Sequence, residues 1–447
     1  MELIANNKMT AIVGMGITGQ SVARYLSGKG LPFVWLDTRE QPPMLDELKA
    51  EYPHLKFETG ELSADTLCAV SEIVLSPGIC PELPTLLQAH QEGVSIVGDI
   101  ELFLREADAP IVAITGSNAK STVTTLVGDM AMADGKAVGV GGNIGVPVLE
   151  LLQKPADLFV LELSSFQLET IGKLGAKVAT ILNISEDHMD RYESLAHYHR
   201  AKQKIYFGAE QVVVNRADPL TSPPIADGVK RYSFGLNRPD RDGFGLIQKN
   251  GEEWLAFEFN GLMPASDIRM PGRHNIENAL AAMALGYAAG LSIDAMLETL
   301  KVFKGLPHRC EWVAEHQGVN FYNDSKGTNV GATLAALNGL AKLEGRIVLI
   351  AGGVGKGAEF GDLKQPLSKA RGLVLIGEDA QKIAAAVDDA VTIVYADSMA
   401  DAVEKALQLA QSGDDVLLSP ACASFDMFSG FEARGQAFVE AVEEAIR

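Results

Sequence analysis

Short apolar runs that stop at glycine or polar clusters, each followed by a segment of helical character, recur nearly from end to end of this chain. That alternation restricts the fold to α/β layers on parallel sheets, because consecutive parallel strands need a crossover and a helix supplies it. The first unit runs from Thr10-Ala-Ile-Val-Gly14 through a helix near Gln20–Gly28 to a strand, Phe33–Leu36, that ends at Asp37. Another run, Ile73–Leu75, stops at the turn Ser76-Pro77-Gly78. The segment Glu101–Pro110 reads as polar, so a first boundary is expected near Gly98. Strands are then expected at Ile111–Thr115, Leu158–Leu161, Val178–Leu182 and Gln211–Asn215. From Tyr232 to Phe259 short alternating runs with the turn Lys249-Asn-Gly251 suggest a small antiparallel insertion. The Ala-rich helix Ala279–Ala289 follows. Gly305-Leu-Pro-His308 reads as a linker to a third layer with runs at Ile347–Ala351, Leu373–Ile376, Thr392–Tyr395 and Val416–Leu418. At about 150 residues per domain, 447 residues make three. The expected division is 1–98, 99–305 and 306–447, with no solenoid-period repeat.

The formal charge of −20 and a pI near 4.9 argue against a nucleic-acid coat or a membrane-surface protein, which need a basic footprint. Anionic small ligands stay open, because a few oriented N–H groups and lysines bind phosphate locally. No apolar run approaches the roughly 18 residues of a membrane span. Met1–Lys8 is polar where a signal peptide needs its apolar centre. Cys68, Cys80, Cys310 and Cys422 form no CxxC pair, so neither a disulfide framework nor a structural zinc site is expected. A cytoplasmic, monomeric, multidomain enzyme or binding protein is the expectation.

Gly14-Met-Gly16-Ile-Thr18-Gly19 opens a helix after a strand, and Asp37 stands 21 residues beyond Gly16. This fits a dinucleotide fingerprint, with the backbone against a pyrophosphate and the acid on a ribose. It serves a sugar nucleotide equally, and glycines that only permit tight packing would look the same. Gly116-Ser117-Asn118-Ala119-Lys120-Ser121-Thr122 follows a buried-strand run and precedes a helix, the outline of a phosphate-binding loop. Lys120 would reach the β/γ-phosphates and Ser121 would contact Mg²⁺. Ala119 stands just before the lysine, so a right-handed backbone is expected there. Glu162, at the end of the next apolar run, would lie beside the loop where Mg²⁺ sits. His188, one strand further on, is placed for a second metal position. Lys202 and Lys204 read as surface lysines from spacing alone. Asp324 and Lys326 could serve an ATP ribose or phosphate. Gly352-Gly-Val-Gly-Lys356-Gly357 is another close-approach loop. After Leu417 a helix N-terminus could bind a carboxylate, and Cys422 reads as a buried small residue.

Together Leu161-Glu-Leu-Ser-Ser-Phe-Gln167, Glu186-Asp-His-Met-Asp-Arg-Tyr192, Asp324-Ser-Lys-Gly-Thr-Asn329 and Leu418–Phe428 resemble the Mur ligase family over essentially the whole chain. The last two stretches are similar to its D-glutamate-adding member. The resemblance implies a Rossmann-like N-terminal domain binding the UDP substrate, a central P-loop ATPase-like domain and a Rossmann-like C-terminal domain. The implied substrates are ATP, UDP-N-acetylmuramoyl-L-alanine and D-glutamate, with two Mg²⁺ sites. Gly14, Gly16, Thr18, Asp37, Thr38, Arg39, Ser76, Pro77, Gly78 and Asn143 would hold the UDP substrate. Gly116–Thr122, Asn278, Arg309 and Asp324 would hold ATP. Thr328, Lys356, Ser424 and Phe431 would hold D-glutamate. Lys120, Glu162, His188 and Lys202 would carry the chemistry, with Ser121, Glu162, His188 and Lys202, as a carbamate, serving metal. Departures from the family pattern stand at Ala119, Gly327 and Val354.

The reaction implied is amide formation through an acyl phosphate. Rival readings are an oxidoreductase on the Gly14–Asp37 unit, a nucleotide-driven sensor without catalysis, and a sibling ligase for another amino acid.

Overall fold

The computed structural model describes residues 9–223, 228–270, 272–340, 345–387 and 390–447. Three sheets follow one another along the chain. The first contains β1 (Thr10–Val13), β2 (Phe33–Asp37), β3 (Phe57–Thr59), β4 (Glu72–Leu75) and β5 (Ser95–Val97), all parallel, in the order β3-β2-β1-β4-β5. β1 and β2 are buried throughout, which is why they read as unbroken apolar runs rather than alternating ones. Sheet growth reverses at β1, opening a crevice at the carboxyl ends of β1 and β4.

The second sheet holds β6 (Ile111–Thr115), β7 (Val138–Gly142), β8 (Leu158–Glu162), β9 (Val178–Ile181), β10 (Gln211–Asn215), β11 (Lys230–Phe234), β12 (Gly243–Lys249), β13 (Glu252–Phe257) and β14 (Asn260–Pro264). Their order, β14-β13-β12-β11-β10-β9-β6-β8-β7, sets β6 between β9 and β8. The expected antiparallel segment is present as β12–β13–β14 and is continuous with the main sheet. β12 pairs parallel with β11, and only β13 runs against the rest, antiparallel to both β12 and β14, so one sheet continues outward. Asn250 and Gly251, both at positive φ, make the tight hairpin turn between β12 and β13. The helix Arg273–Ala289 packs its small residues against the helix Lys120–Ala133 in the main core of this layer.

The third sheet contains β15 (Glu311–His316), β16 (Val319–Asn323), β17 (Ile347–Gly352), β18 (Gly372–Ile376), β19 (Ile393–Tyr395) and β20 (Asp415–Leu418). Its order is β15-β16-β20-β17-β18-β19, parallel except for the edge strand β15. Among the described residues no helix is long and apolar enough to cross a membrane.

Two expectations change. The segment Glu101–Pro110 is not polar throughout: it begins within the helix Asp99–Leu104, where Leu102 and Phe103 are buried. Phe103 meets Phe159 edge to face at 4.9 Å, so this helix docks the first layer on the second. No helix starts directly after β20 either. Residues 419–430 are irregular, tied by an Ala423–Val354 bridge, and the next helix is Phe431–Ala445.

Candidate active site

Between β6 and the helix Lys120–Ala133 the chain makes the loop expected to bind phosphate. Gly116 has φ +153, and a Cβ there would lie 3.1 Å from that of Leu182. The loop is anchored to the end of β9: the N–H of Ser117 donates to Asn183 O at 2.9 Å and that of Asn118 to Asn183 Oδ1 at 2.8 Å. Ala119, expected right-handed, is left-handed at φ 66. The turn into the helix requires that conformation, and an alanine adopts it at a cost of about 1 kcal/mol. Lys120 Nζ donates to the carbonyls of Gly116 and Ser117, both at 2.9 Å. Burial lowers its pKa, with Glu162 and Asp187 pulling the other way.

Glu162 ends β8 next to the loop and is 2% exposed. Its Oε1 accepts from Asn143 Nδ2 at 2.8 Å, while Oε2 is buried and accepts from no described residue. An orphaned buried carboxylate oxygen beside a phosphate loop is what a bound cation would satisfy. Arg309 Nη2 donates to Ser121 Oγ at 2.6 Å, so the third layer reaches the same spot. Among the described residues no three His, Cys, Asp or Glu side chains form a ready cage for a metal. His188, at φ 58, has its Nε2 3.7 Å from Asp187 Oδ2 and its ring 4.9 Å from that of Phe166. Burial lowers its pKa against the pull of Asp187, leaving a neutral imidazole able to ligate metal.

Lys202 is not a surface lysine. It is 1% exposed, its Nζ donates to Gly116 O at 2.9 Å and Thr115 Oγ1 at 3.2 Å, and it lies 4.8 Å from the Tyr198 ring centroid. Burial, then the neighbouring Lys120, drives its pKa well below the ordinary lysine value. Lys204 donates to Glu169 O and is also part-buried.

The third layer closes over the loop. Lys356 Nζ pairs with Asp187 Oδ1 at 2.6 Å. Asn329 Nδ2 donates to Asn118 Oδ1 at 3.1 Å and to Asp187 Oδ2 at 3.2 Å. A cavity of about 130 Å³ between the layers is lined by Asn118, Ala119, Thr122, Asn278, Arg309, Asp324 and Lys326; of the residues expected to hold ATP, Gly116, Ser117, Lys120 and Ser121 do not line it. Burial pushes Asp324 up to about 7, although Ser419 Oγ donates to it at 2.7 Å. A Cβ on Gly327 would fall 2.6 Å from both Asp324 Oδ2 and Ser419 Oγ, so this residue's lack of a side chain admits that contact. The segments bearing Thr328, Lys356, Ser424 and Phe431 are stitched together: Ala421 N donates to Gly327 O, Ala423 pairs with Val354, and Ser325 Oγ donates to Phe431 O. Cys422 is fully buried and its thiol is pushed up to about 12, an inert small residue.

All ten residues expected to hold a UDP substrate line one cleft of about 570 Å³ between the first and second layers. Asp37 does not offer a free carboxylate for a ribose, as the dinucleotide pattern expects. It accepts from the N–H of Met15 at 2.7 Å and of Arg39 at 2.9 Å, and from the Arg39 guanidinium at 2.9 and 2.7 Å. Burial opposes its ionisation, but these bonds win and hold its pKa below the usual carboxylate value. Asp37 therefore sets the loop and aims Arg39. Asp187, Asn183, Asn329, Tyr198 and Asp99 carry roles in this geometry that motif reading did not assign. Position at the carboxyl end of β9 was the available signal for Asn183 and Asp187.

Comparison with known proteins agrees with this arrangement. The chain matches three family models: the Mur ligase MurD-like N-terminal domain over residues 8–98, the Mur ligase middle domain over 114–286, and the Mur ligase glutamate ligase domain over 308–422. It is 57% identical over 446 residues to the UDP-N-acetylmuramoylalanine–D-glutamate ligase of Pseudomonas aeruginosa, spanning 99% of this chain and 100% of the relative. The protein of the same name from Marinobacter nauticus is 51% identical over 444 residues, with 99% and 100% covered. Among solved structures, MurF ligase from Thermotoga maritima in complex with ADP shares the fold at TM-score 0.62 and 15% identity, covering 98% of this chain and 95% of that one. A pseudomurein peptide ligase type C from Methanothermus fervidus does so at 0.61 and 20%, covering 98% and 100%. With all three layers matched in order and full-length relatives above half identity, the chain belongs to the Mur ligase family.

Proposed function

We propose that this protein is an ATP-dependent carbon–nitrogen ligase that joins D-glutamate to UDP-N-acetylmuramoyl-L-alanine in peptidoglycan precursor synthesis, releasing ADP and phosphate. The full-length identity to D-glutamate ligases carries this reading, and the geometry supports it. A phosphate loop, an acidic strand end and the third layer's Arg309, Asn329 and Lys356 converge where a nucleotide, an acyl donor and an amine would have to meet.

A free carboxylate does not accept an amine at neutral pH because oxide is too poor a leaving group. In our reading an oxygen of the L-alanyl carboxylate attacks the γ-phosphorus of ATP, the bond to the bridging oxygen breaks, and ADP leaves. The D-glutamate amine then attacks the acyl phosphate carbonyl, loses a proton, and phosphate departs with the former carboxylate oxygen. Gly116–Thr122 cradles the phosphates, and Lys120 leaves its loop carbonyls to meet transferring charge. Ser121 and Glu162 would hold one Mg²⁺, and His188 with Lys202 a second. Bound Mg²⁺ offsets the repulsion between polyphosphate and carboxylate. Lys202, held neutral, would add to carbon dioxide: its lone pair forms the N–C bond, a proton leaves to water, and a carbamate results. Its remaining N–H can still donate to Gly116 O. Asn278, Arg309 and Asp324 would seat the nucleoside and phosphates. Thr328, Lys356, Ser424 and Phe431 would hold the D-glutamate carboxylates.

We take residues 1–98, 99–305 and 306–447 as the functional domains, with Gly305–His308 as the hinge that closes them and keeps the acyl phosphate from water. The protein would act as a cytoplasmic monomer without nucleic acid. Phosphate release with ATP, Mg²⁺ and the UDP substrate tests the proposal, comparing D-glutamate, L-glutamate, meso-diaminopimelate and no amino acid. Release dependent on D-glutamate, with a product heavier by one glutamyl residue, is expected. Dependence on another amino acid would overturn the specificity, and no release at all would overturn the ligase reading.

A further inference from the structure

Asp99 opens the helix that docks the first layer on the second, and it lines the 570 Å³ cleft although no motif points to it. It is 3% exposed, and its Oδ1 is buried without a hydrogen bond from any described residue. Burial lifts the acid to about 6 against the pull of nearby N–H groups and Gln167. A buried carboxylate oxygen with no donor costs stability unless something else fills the place.

Its surroundings say what that is. A Cβ on the preceding Gly98 would lie 2.5 Å from Thr170 Oγ1 and 4.0 Å from Leu75 O. Asp99 therefore sits between the end of β4, just before the Ser76–Gly78 turn, and the helix Ser165–Glu169 that follows Glu162. Gln167 also lines the cleft. Its Oε1 is occupied by the N–H and hydroxyl of Ser164, at 3.0 and 3.3 Å, which leaves its NH₂ group, already turned toward Asp99, as the donor at this spot. A carboxylate there repels a diphosphate, so the part of a UDP substrate it can receive is a neutral one that brings a donor. Paired with an amide NH₂, it is the complement of a secondary amide, which offers one N–H and one C=O.

We infer that Asp99 is a specificity-determining residue of the UDP-substrate cleft, accepting a hydrogen bond from an N–H or O–H of the neutral sugar-amide segment between the diphosphate and the reacting carboxylate. The inference rests on the cleft assignment proposed above. Losing a hydrogen bond to a charged acceptor weakens binding about tenfold to a hundredfold.

Calorimetric titration of UDP, UDP-N-acetylglucosamine and UDP-N-acetylmuramoyl-L-alanine into the full-length protein, Asp99→Ala and Asp99→Asn tests it. UDP affinity is expected to stay within about twofold, with muramoyl-alanine substrate affinity falling at least about tenfold in the alanine variant. Asparagine, which keeps a carbonyl acceptor, should restore part of the loss. If UDP-N-acetylglucosamine affinity falls in parallel, the donor is on the acetamido sugar; if not, it is on the alanyl amide. KM for this substrate should rise while kcat stays within about threefold. Equal losses for UDP and the full substrate would show a merely structural role and overturn the inference, as would no loss for either. Should Asp99→Ala fail to fold, full substrate affinity in Asp99→Asn would decide alone. Failure of the unaltered protein to bind UDP would overturn the cleft assignment itself, a result separable from every variant effect.

Discussion

Lys120 and Lys202 both donate to the carbonyl oxygen of Gly116, each at 2.9 Å. Two ammonium groups on one buried oxygen repel each other, and this repulsion adds to burial in depressing the pKa of Lys202. Conversion of the neutral Lys202 amine to an anionic carbamate would replace that repulsion with an attractive partner for Lys120. Lys202→Ala should lose at least about a hundredfold in kcat with the fold retained. Acetate or formate, small enough to supply the missing carboxylate, should restore a measurable part of it. Rescue absent from a folded variant would exclude the carbamate.

Asn143 ties the cleft proposed for the UDP substrate to Glu162, through its side chain to Glu162 Oε1 and its N–H to Glu162 O, both at 2.8 Å. Asn143→Ala would leave both Glu162 oxygens unsupported. The expected result is an upward shift in the Mg²⁺ needed for half-maximal activity, of about tenfold, with a rise in KM for the UDP substrate. A Mg²⁺ titration of steady-state phosphate release reads it.

Ala119 holds a left-handed conformation that glycine adopts freely. Ala119→Gly should therefore stabilise the protein by about 0.5–1 kcal/mol less the extra entropy of the unfolded glycine, and Ala119→Val should destabilise it by more. Urea unfolding monitored by circular dichroism, with KM for ATP as the local readout, distinguishes relief of strain from a change in loop shape.

Asp324 carries a pH signature. Its carboxyl is raised by burial from 3.8 to about 7, so between those values the folded chain holds a proton that the unfolded chain releases. Folding stability from this group is therefore present at acid pH and is lost as pH rises toward 7. Asp324→Asn removes the titration. Melting temperatures from pH 5 to pH 8 should show the unaltered protein losing several degrees relative to the variant as pH rises; a constant gap would refute it.

Lys356 pairs with Asp187 across 169 residues of chain. If it also receives a D-glutamate carboxylate, Lys356→Ala should raise KM for D-glutamate about a hundredfold while KM for the UDP substrate stays within about threefold. Asp187→Asn, which frees the lysine, should act oppositely or weakly on D-glutamate. Initial rates with each substrate varied in turn separate the two.

The alternation of buried runs and helices, the glycine loops at Gly14–Gly19 and Gly116–Thr122, and the acid at Glu162 are all legible in sequence because local backbone chemistry makes them. A strand buried on both faces must be apolar, and a chain that turns at a strand end into a helix around an anion must use small residues. Even so, local rules misjudge Ala119, which is left-handed in a loop whose preceding residue, Asn118, is anchored to Asn183 just beyond β9. The antiparallel turn at Asn250-Gly251 is readable from its two residues, but whether it opens a separate insertion or extends the main sheet depends on pairing between β11 and β12. Lys202 looks like a surface lysine in its own helix, and only packing places it on Gly116, 86 positions away in the chain. The same is true of Arg309 on Ser121, of Lys356 on Asp187 and of the unsatisfied oxygen of Asp99. Desolvation and charge pairing depend on which distant groups share a volume, and that information exists only once the three layers have come together.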